Sequence, residues 1–152
     1  MPAVLPMVEQ VCSFHEKLDP AKYGFLPDPA EMYRGWLTSR ARDARSVFLV
    51  ADVSRDEQAH LVGFLIGTIE REIPIYRIDE FGFIHDLWVE ENYRHEGVGR
   101  QLVSAAIERF GELGVPQVRL DVAYHNDPAR GLFQTCGFRP TVIEMVHEFR
   151  AS

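Results

Sequence analysis

Positive charge, cysteine and long apolar runs are all in short supply in this 152-residue chain, and each shortage closes off a class of function. Sixteen Lys and Arg stand against 23 Asp and Glu, a formal net charge of −7. That balance argues against a nucleic-acid partner, because affinity for a phosphate backbone comes mainly from Lys and Arg. It suits a cationic substrate better. Two cysteines, Cys12 and Cys136, are too few for a disulfide scaffold, and Cys136 beside Gly137 in an apolar context reads as a buried structural thiol. No signal-type segment or membrane-length apolar run is present, so no membrane partner and a reducing cytoplasm are expected. The six histidines are scattered without metal-ligand spacing, and no metal site is expected. Repeats, linkers and low-complexity tracts are missing too. With 46% hydrophobic and 26% charged residues, residues 1–152 read as one domain with its own core.

What is present has a clear order. Val4, Val8, Val11 and Leu18 repeat at helical spacing, which predicts a first amphipathic helix. Asp28, Pro29 and Glu31 predict a second, with Asp28 as N-cap, Pro29 at the first position and Glu31 closing a capping box; it runs to about Arg42 with Met32, Trp36 and Leu37 inward. Ser46 to Val53 and His60 to Arg71 read as an antiparallel hairpin, and Gly63 and Gly67 inside it mark a bulge or a close backbone approach. Glu70 to Glu80 reads as an exposed connection that borders a binding site. Gln117 to Ala123 predicts another strand. Asp127 as N-cap and Pro128 then open a short helix that ends at Cys136 and Gly137. Phe138 to Phe149 alternates as a closing strand.

The stretch from Phe81 to Phe110 organises the rest. An apolar β-favouring run from Phe81 to Val89 gives way to a polar turn and two glycines, then to Val98, Leu102, Ala106 and Phe110 four apart. Strand, loop and helix follow in that order. The first turn of a helix has unpaired N–H groups and partial positive charge, so an anion is favoured there, and Gly97 and Gly99 remove Cβ atoms from its path. The next strand follows a helical crossover and should pair in parallel with the first. Arg94-x-x-Gly97-x-Gly99 is weak as bare text. A nucleoside-triphosphate loop needs Gly-Lys-Ser/Thr, whereas Gly99 is followed by Arg100 and Gln101. A dinucleotide fold needs its glycines after the first strand of an α/β repeat. A tight turn feeding a packed helix remains open.

Together with a second pattern downstream, these residues resemble the Gcn5-related N-acetyltransferase (GNAT) family. Arg94 to Gly99 is similar to its Arg/Gln-x-x-Gly-x-Gly/Ala signature, and Asn126-x-x-Ala129-x-x-Leu132-Phe133-x-x-x-Gly137-Phe138 to its second; Ile84 to Val89 looks like the central strand of polyamine and other small-amine acetyltransferases. The resemblance implies an α+β fold: a mixed, mostly antiparallel sheet with one splayed parallel pair and helices on both faces. It implies acetyl-CoA in the splay, on the backbone of Leu87, Trp88 and Val89, the turn residues Arg94, His95, Glu96, Gly97, Val98, Gly99 and Arg100, and Asn126 and Phe133. Homodimers are common in the family. Its members start with a strand for which Met1 to Pro6 leaves little room, so either the true start lies upstream or that edge strand is absent or short.

Transfer to an amine needs a base, since a free alkyl amine is mostly protonated at neutral pH. His85 is the candidate base and Asp86 the ammonium anchor, standing where the small-amine subgroup commonly has Glu-Asp. The family's usual acid is a tyrosine at the place of Phe133, which has no proton to give; either the thiolate leaves unassisted, or Tyr124 or water substitutes, or the chain is a CoA-binding relative with little activity. The reading is acetyl-CoA-dependent acetylation of a small primary amine. A CoA-binding sensor without turnover and an acetyltransferase for protein N-termini or lysines are the alternatives.

Overall fold

The computed structural model describes residues 2–150. One 3₁₀ turn (Pro2–Val4) leads into α1 (Leu5–Leu18), so the described chain is helical from residue 2; Met1 is outside the described residues. α2 (Pro29–Arg42) starts at the expected proline, but its capping box does not form. Asp28 has φ 55° and its carboxylate makes no cap bond, while Glu31 accepts from Arg34 Nε at 2.9 Å. A cap is worth about 1 kcal/mol. Burying Leu37 completely contributes about 1.5–3 kcal/mol, so the inner face holds this helix. That face is Ala30, Tyr33 and Leu37, spaced three and four apart. Met32, expected inward, is 64% exposed because it lies one position off that stripe.

β1 (Val47–Asp52), β2 (Leu61–Arg71), β3 (Glu80–Val89) and β4 (Val118–Leu120) form one sheet in that order, antiparallel except for β3 and β4. α3 (Val98–Glu112) is the crossover between the parallel pair, and α4 (Asp127–Thr135) follows. The fold is α+β with helices on both faces, as the resemblance implies. β2 shows why both faces must be covered: residues 62–68 are buried without a break. Phe64 and Ile66 join Val8 of α1 and Leu37 of α2 in one core; Leu65 joins Val103, Ala106 and Phe110 of α3 in the other. α3 comes very close to the sheet. A Cβ at Gly67 or Gly82 would stand 2.7 Å from the Phe110 ring, so both positions exclude a side chain.

Two expected strands are corrected. The strand expected at 117–123 pairs with β3 only over Val118–Leu120, with one further bond from Gly82 N–H to Gln117 O at 2.9 Å, and residues 121–123 do not join the ladder. The closing strand expected at 138–149 does not form: beyond the Phe138 N–H, which donates to Phe133 O, the segment makes no described backbone hydrogen bond. Alternation sets the preference for a strand, but a strand also needs an edge to pair with. No helix among the described residues is long and apolar enough to cross a membrane.

Candidate active site

A bulge in β3 builds the site. Opposite Ile66 stands Asp86 and opposite Gly67 stands Ile84, so His85 is an extra residue with no partner on β2. In a regular strand, consecutive side chains point to opposite faces. Here both His85 and Asp86 line one cavity of about 610 Å³ on the α1 and α2 side of the sheet. Beyond the bulge the alternation resumes in the new phase: Leu87 and Val89 pack toward α3, and Trp88 packs toward α1.

The cavity is aromatic and acidic. Tyr23, Phe25, Tyr33 and Phe83 line it with the carboxylates of Asp86 and Asp121, and none of its lining residues is Lys or Arg. Tyr33 Oη donates to Asp86 Oδ2 at 2.6 Å. Burial raises the Asp86 carboxyl above its ordinary range, and the Tyr33 bond, His85 and His15 pull it partly back. Burial and the nearby Asp86 charge push the Tyr33 hydroxyl up, so it stays a donor. The Cys12 thiol, also lining the cavity, is pushed up to about 11 by burial and then by Asp86. It is protonated at neutral pH and a poor nucleophile.

His85 belongs to a chain of polar groups. Thr68, the one buried polar residue of the described core, donates from Oγ1 to Glu70 Oε1 at 2.6 Å and lies 2.7 Å from His85 Nε2. A hydroxyl has a single proton. Given to the Glu70 carboxylate, it leaves Thr68 Oγ1 as an acceptor, so His85 Nε2 bears the ring proton and Nδ1 carries the free lone pair. Burial lowers the His85 pKa below its ordinary 6.5, against the raising pull of Asp86 and Glu70. The ring is therefore neutral at pH 7. Trp36 and Phe83 flank it at ring-centroid distances of 5.2 and 5.0 Å. Tyr33, Thr68, Glu70 and Asp121 were missed from the sequence. Tyr33 was visible as part of the stripe with Leu37, and Thr68 as a polar residue inside an apolar strand.

On its other side β3 offers backbone. The ladder to β4 ends at Ile84 opposite Leu120, so residues 85–89 keep an open edge where the two strands splay. Arg94 closes the turn after β3: its Nε donates to Val89 O at 2.8 Å and its guanidinium lies 4.6 Å from the Trp88 ring centre. His95 (φ 64°) and Gly97 (φ 86°) are left-handed, a backbone that turns successive N–H groups inward as an anion nest. Gln101 N–H is the first of α3 to find a carbonyl, that of Gly97 at 3.0 Å, and among the described residues those from 95 to 100 have no protein acceptor. Nothing stands within 4 Å of a Cβ built on Gly97. At Gly99 the reason differs from the expected one: a Cβ would meet Leu132 of α4 at 3.1 Å, so this glycine serves helix packing. Free N–H groups of residues 95–100 beside an open strand edge suit a ligand that carries both phosphate and amide groups, as acetyl-CoA does.

Among the other expected site residues, Asn126 is the N-cap of α4, accepting on Oδ1 from Ala129 N–H at 3.3 Å; the expected cap, Asp127, is the first helical residue. Phe133 is buried in the core against Phe138. Tyr124 is 69% exposed, its ring under the Arg130 guanidinium, and does not line the cavity. No cluster of three or more His, Cys, Asp or Glu suited to a metal occurs among the described residues.

Comparison with known proteins identifies the family. The chain is 32% identical over 85 residues to the uncharacterized N-acetyltransferase YycN of Bacillus subtilis, covering 56% of this chain and 52% of that one. It is 32% identical over 82 residues to the L-2,4-diaminobutyric acid acetyltransferase of Chromohalobacter salexigens, covering 54% and 40%. The chain thus spans about half the length of these relatives, and proteins named N-alpha-acetyltransferases are similar as well. A crystal structure of a mutant BH1408 protein from Bacillus halodurans shares the fold, with a TM-score of 0.84 at 21% identity over 99% of this chain and 94% of that one. The sequence profile described as the acetyltransferase (GNAT) family matches residues 10–138, and the chain belongs to that family.

Proposed function

We propose that residues 1–152 act as one cytoplasmic acetyltransferase domain that transfers the acetyl group of acetyl-CoA to the primary amine of a small molecule. The observation that carries this reading is the cavity: two carboxylates and four aromatic rings, with no lining Lys or Arg, adjoin the splay of β3 and β4. Such a lining favours a cation with an apolar body and disfavours an acceptor that carries its own carboxylate.

Acetyl-CoA supplies the activated acyl group. Leu87, Trp88 and Val89 would hold it through backbone, His95, Glu96, Gly97, Val98, Gly99 and Arg100 through their N–H groups, Arg94 through the guanidinium N–H groups left after the bond to Val89, and Asn126 through its amide N–H₂. Phe133 can support it only by packing. Asp86 anchors the incoming ammonium, His85 Nδ1 takes the proton, and the freed lone pair attacks the thioester carbonyl directly. The departing thiolate has an intrinsic pKa near that of cysteine, about 8.5, so water can protonate it without Phe133 or Tyr124.

The open rim at Phe25, Leu26 and Met32, all exposed, favours protein amines as the second reading. Initial rates of thiol release with acetyl-CoA and a panel of diamines, amino acids and peptides test both. Turnover highest with diamines is expected. Turnover confined to peptides overturns the small-molecule reading, and tight acetyl-CoA binding with no turnover on any acceptor overturns acetyl transfer.

A further inference from the structure

Asp121 is the cavity carboxylate that acetyl transfer leaves without a task. β3 and β4 run in parallel with Ile84 opposite Leu120, so His85 and Asp121, the next residue on each strand, stand on either side of the point where the strands part. Both line the cavity, together with Asp86 and the rings of Tyr23 and Phe83. Asp86 accepts a hydrogen bond from Tyr33, whereas the Asp121 carboxylate has neither a hydrogen bond nor an ion pair among the described residues. The cations beside it are engaged elsewhere: Lys22 with Glu144, and Arg119, two positions earlier, with Glu72. A carboxylate without a cation of its own, facing a cavity that no Lys or Arg lines, is a place for a cation from outside.

Lys22 shows what kind of cation suits that place. It stands one position before the lining Tyr23, with Nζ 5.9 Å from the centre of that ring. The hydrogen bond and charge of Glu144 hold its pKa above the usual lysine value, and Tyr23 and then Asp121 add to the same pull. A lysine side chain is a primary alkylammonium, the same chemistry as the proposed acceptor. The chain therefore keeps an ammonium of its own beside the cavity wall, within reach of the Asp121 charge.

We infer that Asp121 receives the second ammonium of a diamine whose first ammonium is held at Asp86, and that the Lys22 ammonium competes with it for the Asp121 charge. This rests on the proposed acetylation of a small amine and adds the residues that choose among amines. A diamine meets a carboxylate at each end and lays its carbon chain on Tyr23 and Phe83 between them. A monoamine of the same length leaves Asp121 unpaired and gains nothing from it. Lys22 weakens the negative potential into which the second ammonium moves, so Asp121 and Lys22 act on the preference with opposite sign. A merely structural role for either residue would move all amines alike. Asp121 is exposed, so water screens the pairing and each effect is a few-fold.

The test is the initial rate with acetyl-CoA and either the four-carbon α,ω-diamine or the four-carbon monoamine, in the wild type, Asp121→Asn, Asp121→Glu and Lys22→Gln. The wild type should have the lower KM for the diamine. The ratio of monoamine KM to diamine KM should fall about three- to fivefold in Asp121→Asn, rise about twofold in Lys22→Gln and stay near the wild-type value in Asp121→Glu, which keeps the charge. A ratio unmoved in Asp121→Asn, or moved the same way in Asp121→Asn and Lys22→Gln, overturns the inference and leaves acetyl transfer to amines standing. If neither amine is turned over, acetyl transfer to small amines fails by itself. Calorimetric titration of the two amines then gives the same ratio as dissociation constants: opposite shifts in the two variants support the second ammonium site, and their absence overturns it.

Discussion

β3 serves two regions by different physics. Toward α1 and α2 it presents side chains, His85 and Asp86, in a partly buried acidic cavity where burial sets their protonation. Toward the β4 splay and the start of α3 it presents backbone, held by a left-handed turn. The first region depends on which residue stands at a position. The second depends on the conformation that a position permits. Substitutions should therefore separate the two, chemistry from cofactor affinity.

The sharpest separation is expected from His85→Gln, which keeps a polar group but loses the base: kcat should fall by about 10²- to 10⁴-fold with acetyl-CoA affinity unchanged by calorimetry. Gly97→Val acts on the other region. A branched residue at φ 86° carries about 1–3 kcal/mol of strain, so acetyl-CoA affinity should weaken by about 10- to 100-fold. Turnover at saturating acetyl-CoA should be largely kept. Asp86→Asn removes the charge facing the ammonium and should raise the acceptor KM by about tenfold, again without effect on acetyl-CoA binding, which competition calorimetry would check. Thr68→Val tests the smallest effect. It removes one hydrogen bond that fixes the His85 tautomer, worth about 0.5–1.5 kcal/mol, and kcat should drop by about two- to tenfold. A loss of acetyl-CoA affinity in the His85, Asp86 or Thr68 variant would erase the division between the regions.

The backbone region was legible in the sequence because its signals are local. Gly97, the four-residue spacing from Val98 to Phe110 and the apolar run before them lie within thirty residues, and each speaks for its own conformation. The side-chain region was legible only in part. His85 and Asp86 could be named as candidates, but that they share a face follows from a register shift against Ile66 and Gly67, which no single strand encodes. Thr68 and Glu70 reach His85 across that same register. Tyr33 reaches Asp86 across 53 positions, through the packing of α2 on the sheet. The C-terminal segment shows the limit of pattern most plainly: residues 138–149 read as a strand, yet in the single chain they pair with none.

The most direct measurement is the pH dependence of kcat with both substrates saturating, in the wild type and in His85→Gln. Protonated His85 cannot accept the amine's proton, and burial holds its pKa below 6.5. The wild-type kcat should therefore be level through neutral pH and fall on an acidic limb whose midpoint lies below pH 6.5, and the limb should be missing in His85→Gln. An acidic limb with its midpoint above pH 6.5, or the same limb in both proteins, would contradict His85 as the base.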